Sequence, residues 1–354
     1  MNMKEIKAGS FGRMEGKKDM VFCIIYSDYA RPWMNYDHFT QSKDEKIRNK
    51  ALMVTPLVLM QMRWDGKLGF PGGNVDPEDI SLEAAIAREL KEEINFIIDE
   101  SKLVPFKTFA DDRKHISSFT YRVTEEELRK IYLNSSTADH FGAENSGSIL
   151  LQVNEESIKY IFKHPFSGTA GDELSALIEE KHLLINQKML DEAIELVKPY
   201  FIKKTRDNGN NYFEEHIMGC VNMAKNSPLE YQITLALHDS LEDTEITKEQ
   251  LLSEFPEFIV EAVEALTLDD AKDYRSEVEK CLQTPLAQYC RYIDRLNNLQ
   301  HTSVKYNTIA MVNKMLVKTQ MYYLPVFSQK QREKINAELD RMDLELFKGE
   351  ALNV

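Results

Sequence analysis

Three glutamates, Glu89, Glu92 and Glu93, fall at i, i+3 and i+4 of a segment that reads as a helix from Ser81 to Ile94. At that spacing their side chains share one helix face. Carboxylates crowded in this way repel one another, and hard divalent cations such as Mg²⁺ or Mn²⁺, which take oxygen ligands, relieve the repulsion. Cations held there can bridge a diphosphate and activate a water for attack on phosphorus. Ser81 is a good N-cap type, no Gly or Pro interrupts the run to Ile94, and Ile86, Leu90 and Ile94 supply an apolar stripe. Ahead of the helix stands Gly69-Phe70-Pro71-Gly72-Gly73, where Gly72 and Gly73 let the backbone approach a phosphate closely. Three glutamates on a helix are by themselves more often a solvated acidic face, so the residue order around them decides.

A second constellation lies in the C-terminal half: His216, the pair His238-Asp239, the triplet Glu242-Asp243-Thr244, and Asp294. Two histidines and two aspartates make a mixed nitrogen and oxygen set suited to Mn²⁺, Fe²⁺ or Zn²⁺. Glu242, four residues after His238, shares its face if the helix continues, and can handle a proton of a metal-bound water. A lone histidine is usually a satisfied, partly buried one, and His164, His182 and His301 are read that way.

The elements that must position these groups differ between the two halves. Residues 20–26, 52–62, 117–123 and 148–153 read as strands, short and rich in β-branched or aromatic residues. Residues 37–50 read as a polar loop, and Asp65-Gly66 as a turn. After about residue 185 the periodicity is helical, over 187–202, 211–225, 229–240, 247–266, 274–300 and 306–345. The expected fold class is therefore α+β: a mixed domain over 1–185 followed by an all-helical domain over 186–354.

The segment Arg88-Glu89-Leu90-Lys91-Glu92-Glu93-Ile94, after a glycine and a spacer, resembles the signature box of the Nudix hydrolases. The run from Leu57 through Arg63-Trp64-Asp65-Gly66 to Gly73 resembles their snoRNA-decapping and inosine-diphosphatase subfamily. This resemblance implies an α/β/α sandwich that hydrolyses a nucleoside diphosphate linked to a group X. It places Glu89, Glu92 and Glu93 on the metal-ligand positions, and Arg88 where an arginine orients the box by pairing with a glutamate. The spacer from Gly73 to Arg88 is one residue longer than the common box, with Asp79 near the usual glutamate. The closing glycine is Asn95, the next best residue for a left-handed helix end. The subfamily's purine-contacting histidine has Phe22 as its counterpart, a residue that either stacks on a base or belongs to the core, the core reading being favoured.

His238-Asp239-Ser240-Leu241-Glu242-Asp243-Thr244 and Asp294-Arg295-Leu296-Asn297-Asn298-Leu299 resemble the HD superfamily, specifically the hydrolase domain of RelA/SpoT-like alarmone enzymes, over roughly 186–305. That resemblance implies a metal, Mn²⁺ or another transition metal, on His216, His238, Asp239 and Asp294. Glu242 and Asp243 would position the attacking water, Arg206 would contact the base, and Asn298 the nucleotide. The implied reaction removes pyrophosphate from the 3′ position of a (p)ppGpp-like nucleotide.

With 43% hydrophobic and 29% charged residues the composition is that of a soluble globular protein. Residues 1–185 carry 24 Lys and Arg against 30 Asp and Glu, and the remainder 20 against 28, out of 44 and 58 in the chain. Neither half is basic, so RNA is not favoured as a partner and small nucleotides are, bound metal supplying positive charge locally. Lys43, Lys46, Arg48 and Lys50 form one local basic patch, read as a solvated loop. Cys23, Cys220, Cys281 and Cys290 show no Cys-x-x-Cys spacing and read as reduced thiols of a cytoplasmic protein. No stretch is long and apolar enough to span a bilayer. The leading expectation is a bifunctional, metal-dependent nucleotide pyrophosphohydrolase. RNA 5′-decapping by the first half, of a methylguanosine- or NAD-type cap, is the alternative enzyme. A nucleotide sensor without turnover is the non-enzyme alternative.

Overall fold

The computed structural model describes residues 3–6, 11–143, 145–267 and 274–351. By internal packing the chain divides into two units, Met1–Leu184 and Ile185–Val354.

The first unit is built on an eight-stranded mixed sheet: β1 (Lys4–Ile6), β2 (Lys18–Ser27), β3 (Leu57–Arg63), β4 (Leu68–Gly69), β5 (Gly72–Asn74), β6 (Val104–Ala110), β7 (Lys114–Arg122) and β8 (Asn145–Gln152). The order is β1-β6-β7-β2-β3-β4, with β5 on β2 and β8 on β3. β2 and β7 run parallel from Lys18–Lys114 to Tyr26–Arg122, and the other pairs are antiparallel. β2 and β3 are apolar on both faces over Val21–Tyr26 and Leu57–Met60, as strands covered twice are. Val21, Cys23, Ile25, Leu57 and Leu59 pack with Ala85, Ile86, Leu90 and Ile94 of the helix Leu82–Ile94. The alternate residues Ile24, Tyr26, Val58 and Met60 pack with Leu174 and Leu177 of the helix Ala170–Glu180. The period of two along each strand thus divides the core between two helical layers.

Two elements depart from expectation. Residues 37–50 are not a loop, because the short helices Asp37–Thr40 and Glu45–Leu52 occupy them. Glu45–Leu52 carries charged or amide side chains at five of its eight positions, so it lacks the apolar period that announces a helix. The strand expected from residue 52 begins only at Leu57, after Pro56, whose missing N–H suits a strand's entry and not its interior.

All named elements of the second unit, among the described residues, are helices. Leu229–Leu237 and Pro285–Gln300 are its buried centre, packed against each other; Gln187–Phe201 lies on the first, and Glu257–Leu266 on both. Several expected helices are broken. Pro256 interrupts 247–266 into Lys248–Leu252 and Glu257–Leu266, and Pro285 starts a fresh helix capped by Thr284. The run 229–240 ends at Leu237 and restarts at Ser240. Glu242 therefore does not continue the helix that leads to His238.

Candidate active sites

In the first unit the helix Leu82–Ile94 starts on Ser81, whose side chain accepts from the Ala84 N–H, and ends on Asn95 in the left-handed conformation at φ 49°. The capping holds the acidic face in register with β5. Glu89 and Glu93 are buried, while Glu92 is partly exposed. The Gly72 N–H donates to Glu93 Oε2 at 2.9 Å. A Cβ at Gly73 would stand 2.6 Å from Glu89 Oε1, and one at Gly72, whose φ is +138°, would run into the Val21 carbonyl. The two glycines are thus what lets β5 lie against both carboxylates.

Arg88 ties the box together. Its Nη1 donates to Glu89 Oε1 at 3.0 Å and to Glu92 Oε2 at 3.2 Å. Its Nε and Nη2 form a fork on Asp79 at 3.2 and 3.0 Å, and Nη2 also reaches the Asn74 carbonyl at 2.9 Å. The arginine partner in the long spacer is therefore Asp79, which the Arg88 hydrogen bonds hold below the usual carboxylate range. Phe22 packs against the apolar core and also lines a cleft whose wall includes Gly72 and Glu93. The two readings of Phe22 are not exclusive. The sequence drew no attention to Gln61, Asn145 or Glu173, which line the same cleft.

In the second unit the structure draws His216, His238, Asp239 and Asp294 together. His216 Nε2 lies 3.1 Å from His238 Nε2, 3.2 Å from Asp239 Oδ2 and 3.6 Å from Asp294 Oδ1. His238 Nε2 lies 3.2 Å from Asp239 Oδ1 and 3.9 Å from Asp294 Oδ1. His216 sits in a π-helical turn, Phe213–Ile217, a wide turn common at functional sites. His238 and Asp239 sit at the break before Ser240, where the released backbone lets adjacent side chains face one point. The Nδ1 atoms are engaged behind: His238 with the Leu235 carbonyl at 2.7 Å, His216 with Asn297 Oδ1 at 2.9 Å. Both acceptors take an N–H at Nδ1, so a neutral ring at either position directs its Nε2 lone pair at the centre.

The carboxylates are anchored too. Tyr212 OH donates to Asp239 Oδ2 at 2.7 Å, and Asn298 Nδ2 to Asp294 Oδ1 at 2.6 Å. Arg291 Nη1 donates to Asp294 Oδ2 at 3.1 Å. Burial pushes Asp239 and Asp294 up, but His238, His216 and Tyr212 together outweigh it for Asp239, and Arg291, His238 and His216 together for Asp294, so both are held below the usual range. Arg206 is fixed by Asn297 at 2.8 Å and Asn298 at 3.0 Å, which brings it to the same cluster. Glu242 and Asp243 lie exposed on the short helix Ser240–Asp243, with Asp243 Oδ2 3.4 Å from Lys204 Nζ.

Sequence reasoning missed Tyr212, Asn297, Arg291 and Cys220 as parts of this cluster. The first lies four residues before His216, and Arg291 three before Asp294, so helical spacing was their available signal. Cys220, four residues after His216, forms with the two histidines a group able to hold a metal ion. Its Sγ is 4.0 Å from His216 Nδ1 and burial raises its thiol pKa, so it is a weaker donor than the carboxylates. The four cysteines are free and buried.

Both sites suit divalent metal: the first by clustered carboxylates, two of them buried, and the second by two imidazole nitrogens and two carboxylates converging on one point. Among the described residues no helix is long and apolar enough to cross a membrane.

A family model described as Nudt16-like, U8 snoRNA-decapping enzyme-like, matches residues 37–184. The U8 snoRNA-decapping enzyme of Mus musculus is 32% identical over 137 residues, spanning 36% of this chain and 70% of the mouse protein. The guanosine-3′,5′-bis(diphosphate) 3′-pyrophosphohydrolase of Borreliella burgdorferi is 30% identical over 121 residues, 33% of this chain and 16% of that protein. A solved structure described as a metazoan ortholog of SpoT that hydrolyzes ppGpp covers 44% of this chain and 97% of its own, at 14% identity and a TM-score of 0.39. The identity to the mouse enzyme, over more than two thirds of its length, together with the match at residues 37–184, makes this chain a member of the Nudt16-like, U8 snoRNA-decapping enzyme-like family.

Proposed function

We propose that the chain is a bifunctional nucleotide hydrolase, with a Nudix domain over 1–185 and an HD-type hydrolase domain over 186–354. The observation that carries this reading is the pair of converging donor sets, one in each compact unit. In the Nudix half, Glu89, Glu92 and Glu93 hold Mg²⁺ or Mn²⁺. In the HD half, His216, His238, Asp239 and Asp294 hold Mn²⁺ or another transition metal. Bound metal neutralises phosphate charge and lowers the pKa of a bound water.

The chain's own groups do the positioning. Arg88 and the Gly72 N–H keep the three glutamates aimed at one place. Water adds to one phosphorus of a nucleoside diphosphate linked to X, and the bridging oxygen departs with the other phosphate. In the HD half, Arg206 and Asn298 contact a (p)ppGpp-like nucleotide, and Glu242 and Asp243 border the approach of water. Water adds to the phosphorus on the 3′ oxygen, which takes up a proton and leaves as the free hydroxyl while pyrophosphate is released. The Borreliella relative's name supports this half of the reading.

The test is a panel of ppGpp, IDP, GDP, ADP-ribose and NAD with Mg²⁺ or Mn²⁺, with products identified by chromatography. Asp239→Ala abolishes 3′ cleavage of ppGpp, while Glu93→Gln abolishes a different cleavage. Loss of both cleavages in either variant, or of neither, overturns the two-site reading.

The mouse relative's name favours a second reading, removal of a 5′ cap from RNA by the Nudix half. Lys43 and Arg48 are exposed, and the side chains of Lys46 and Lys50 lie outside the described residues. RNA affinity that falls steeply with salt, together with release of a cap nucleotide, supports decapping; no RNA binding at low salt excludes it.

A further inference from the structure

The segment ahead of β2, from Phe11 to Lys17, is strapped onto the first unit at three points. Phe11 packs on the core, edge-on to Phe119 with ring centroids 5.5 Å apart. The Met14 N–H donates to the Asp19 carboxylate at 3.0 Å, and the same carboxylate meets His115 Nδ1 at 2.9 Å. Lys17 Nζ donates to the Asp111 carbonyl at 2.6 Å. Asp19 and His115 face each other across the β2–β7 pair, and His115 is buried, so the anchor of the strap is the sheet itself.

From this strap Arg13 reaches the spacer that precedes the acidic helix. Its Nη2 donates to the Asp76 carbonyl at 2.7 Å and to the Asp79 carbonyl at 2.5 Å. Those residues are the two ends of a turn. The Asp79 N–H closes it on the Asp76 carbonyl at 3.1 Å, and the Asp76 N–H donates to Asp79 Oδ2 at 2.8 Å. The turn has little apolar anchorage of its own: Asp76, Pro77, Glu78 and Ile80 are exposed, Ile80 to 94%. Hydrogen bonds must therefore place it. Arg13 supplies two, and the Val75 N–H supplies another to the Asp19 carbonyl at 3.1 Å.

We propose that Arg13 is a positioning residue of the Nudix site, acting on the glutamates through Asp79 and Arg88. The proposal rests on the reading that Glu89, Glu92 and Glu93 hold a metal. Arg13 fixes the backbone of residue 79, and the Asp79 carboxylate then receives Nε and Nη2 of Arg88 at 3.2 and 3.0 Å. That fork sets the plane of the guanidinium, whose Nη1 lies on Glu89 and Glu92. A turn free to swing would carry Asp79 with it and rotate Nη1 off the carboxylates, which then repel one another apart. The direct partners of metal ligands are worth about 10–100-fold in metal affinity, and Arg13 stands further out, so its expected effect is at the lower end.

The test is calorimetric titration of the full chain with Mn²⁺ in an Asp239→Ala background, so that the Nudix site is read alone. Arg13→Gln weakens Mn²⁺ binding about tenfold. Its melting midpoint without metal stays within about 3 °C, because Arg13 lies at the surface. Arg13→Lys keeps the affinity within about threefold, its ammonium having donors for both carbonyls. Arg13→Gln added to Asp79→Asn weakens binding no further, since the route is already cut. Unchanged affinity in Arg13→Gln, a loss that adds to that of Asp79→Asn, or a loss accompanied by a lower metal-free midpoint overturns the proposal. Absence of Mn²⁺ binding before Arg13 is altered removes the metal reading of the Nudix site and the proposal with it. Binding that Arg13→Gln leaves intact removes the proposal alone.

Discussion

Gly73 and Glu89 occupy space that only one side chain can fill: a Cβ on residue 73 would lie 2.6 Å from Glu89 Oε1 and 2.7 Å from its Cδ and Oε2. The crowding atom is the end of a side chain, so Gly73→Ala is expected to displace Glu89 rather than unfold the sheet. Displacement breaks the 3.0 Å contact with Arg88 and moves a proposed metal-ligand carboxylate by about an ångström, a scale at which catalytic sites lose about a hundredfold in rate. Nudix-site turnover should fall by one to two orders of magnitude while the cleavage proposed for the second unit is unaffected. Unchanged turnover would show that the position of Glu89 does not matter.

Arg88→Lys tests the fork. The guanidinium bonds Asp79 through two nitrogens and Glu89 and Glu92 through a third, and a single ammonium cannot span these partners. The Asp79 hydrogen bonds lead in raising the affinity of Arg88 for its proton, which marks the fork as the dominant contact. The variant should lose about 1–3 kcal/mol of stability and bind Mn²⁺ more weakly at the Nudix site. Urea unfolding and metal titration in an Asp239→Ala background read the two effects separately.

Much of this arrangement is written in local chemistry. Ser81 and Asn95 announce the two ends of the acidic helix because capping depends on a residue and its immediate neighbours. The unbroken apolar run from Val21 to Tyr26 announces a strand buried on both faces for the same reason. Glu173 is different: beside Asp172 in a helix it looks like a solvated face, and only the parting of β2 and β3 makes it interior. Asn297 likewise sits in a polar stretch, and its contact with His216, 81 positions away, exists only once Pro285–Gln300 packs in the centre of the second unit. The helix break at His238 was hidden because no proline or glycine marks it.

His216 Nε2 approaches His238 Nε2 to 3.1 Å, an arrangement of two donor nitrogens that a cation between them would stabilise. Mn²⁺ at about a hundred times its dissociation constant should stabilise the second unit by about 2.7 kcal/mol. For a unit of that size this corresponds to an upward shift of roughly 5–10 °C in the melting midpoint. Asp239→Ala should abolish the shift and Glu93→Gln should retain it, as read by calorimetry with and without Mn²⁺. A shift that survives Asp239→Ala would place the ion elsewhere.

Glu173 makes stability depend on pH in a defined direction. Burial raises its carboxyl from 4.5 to about 7. The folded state therefore holds a proton that the unfolded chain has already released. Its contribution is fully present below pH 4.5 and is lost as pH rises through about 7, a change of roughly 3 kcal/mol at 1.36 kcal/mol per unit. Glu173→Gln cannot ionise, so its stability relative to the unaltered protein should rise by about that amount between pH 4.5 and pH 8.5, measured by urea unfolding. A flat difference would mean that water already solvates the carboxylate.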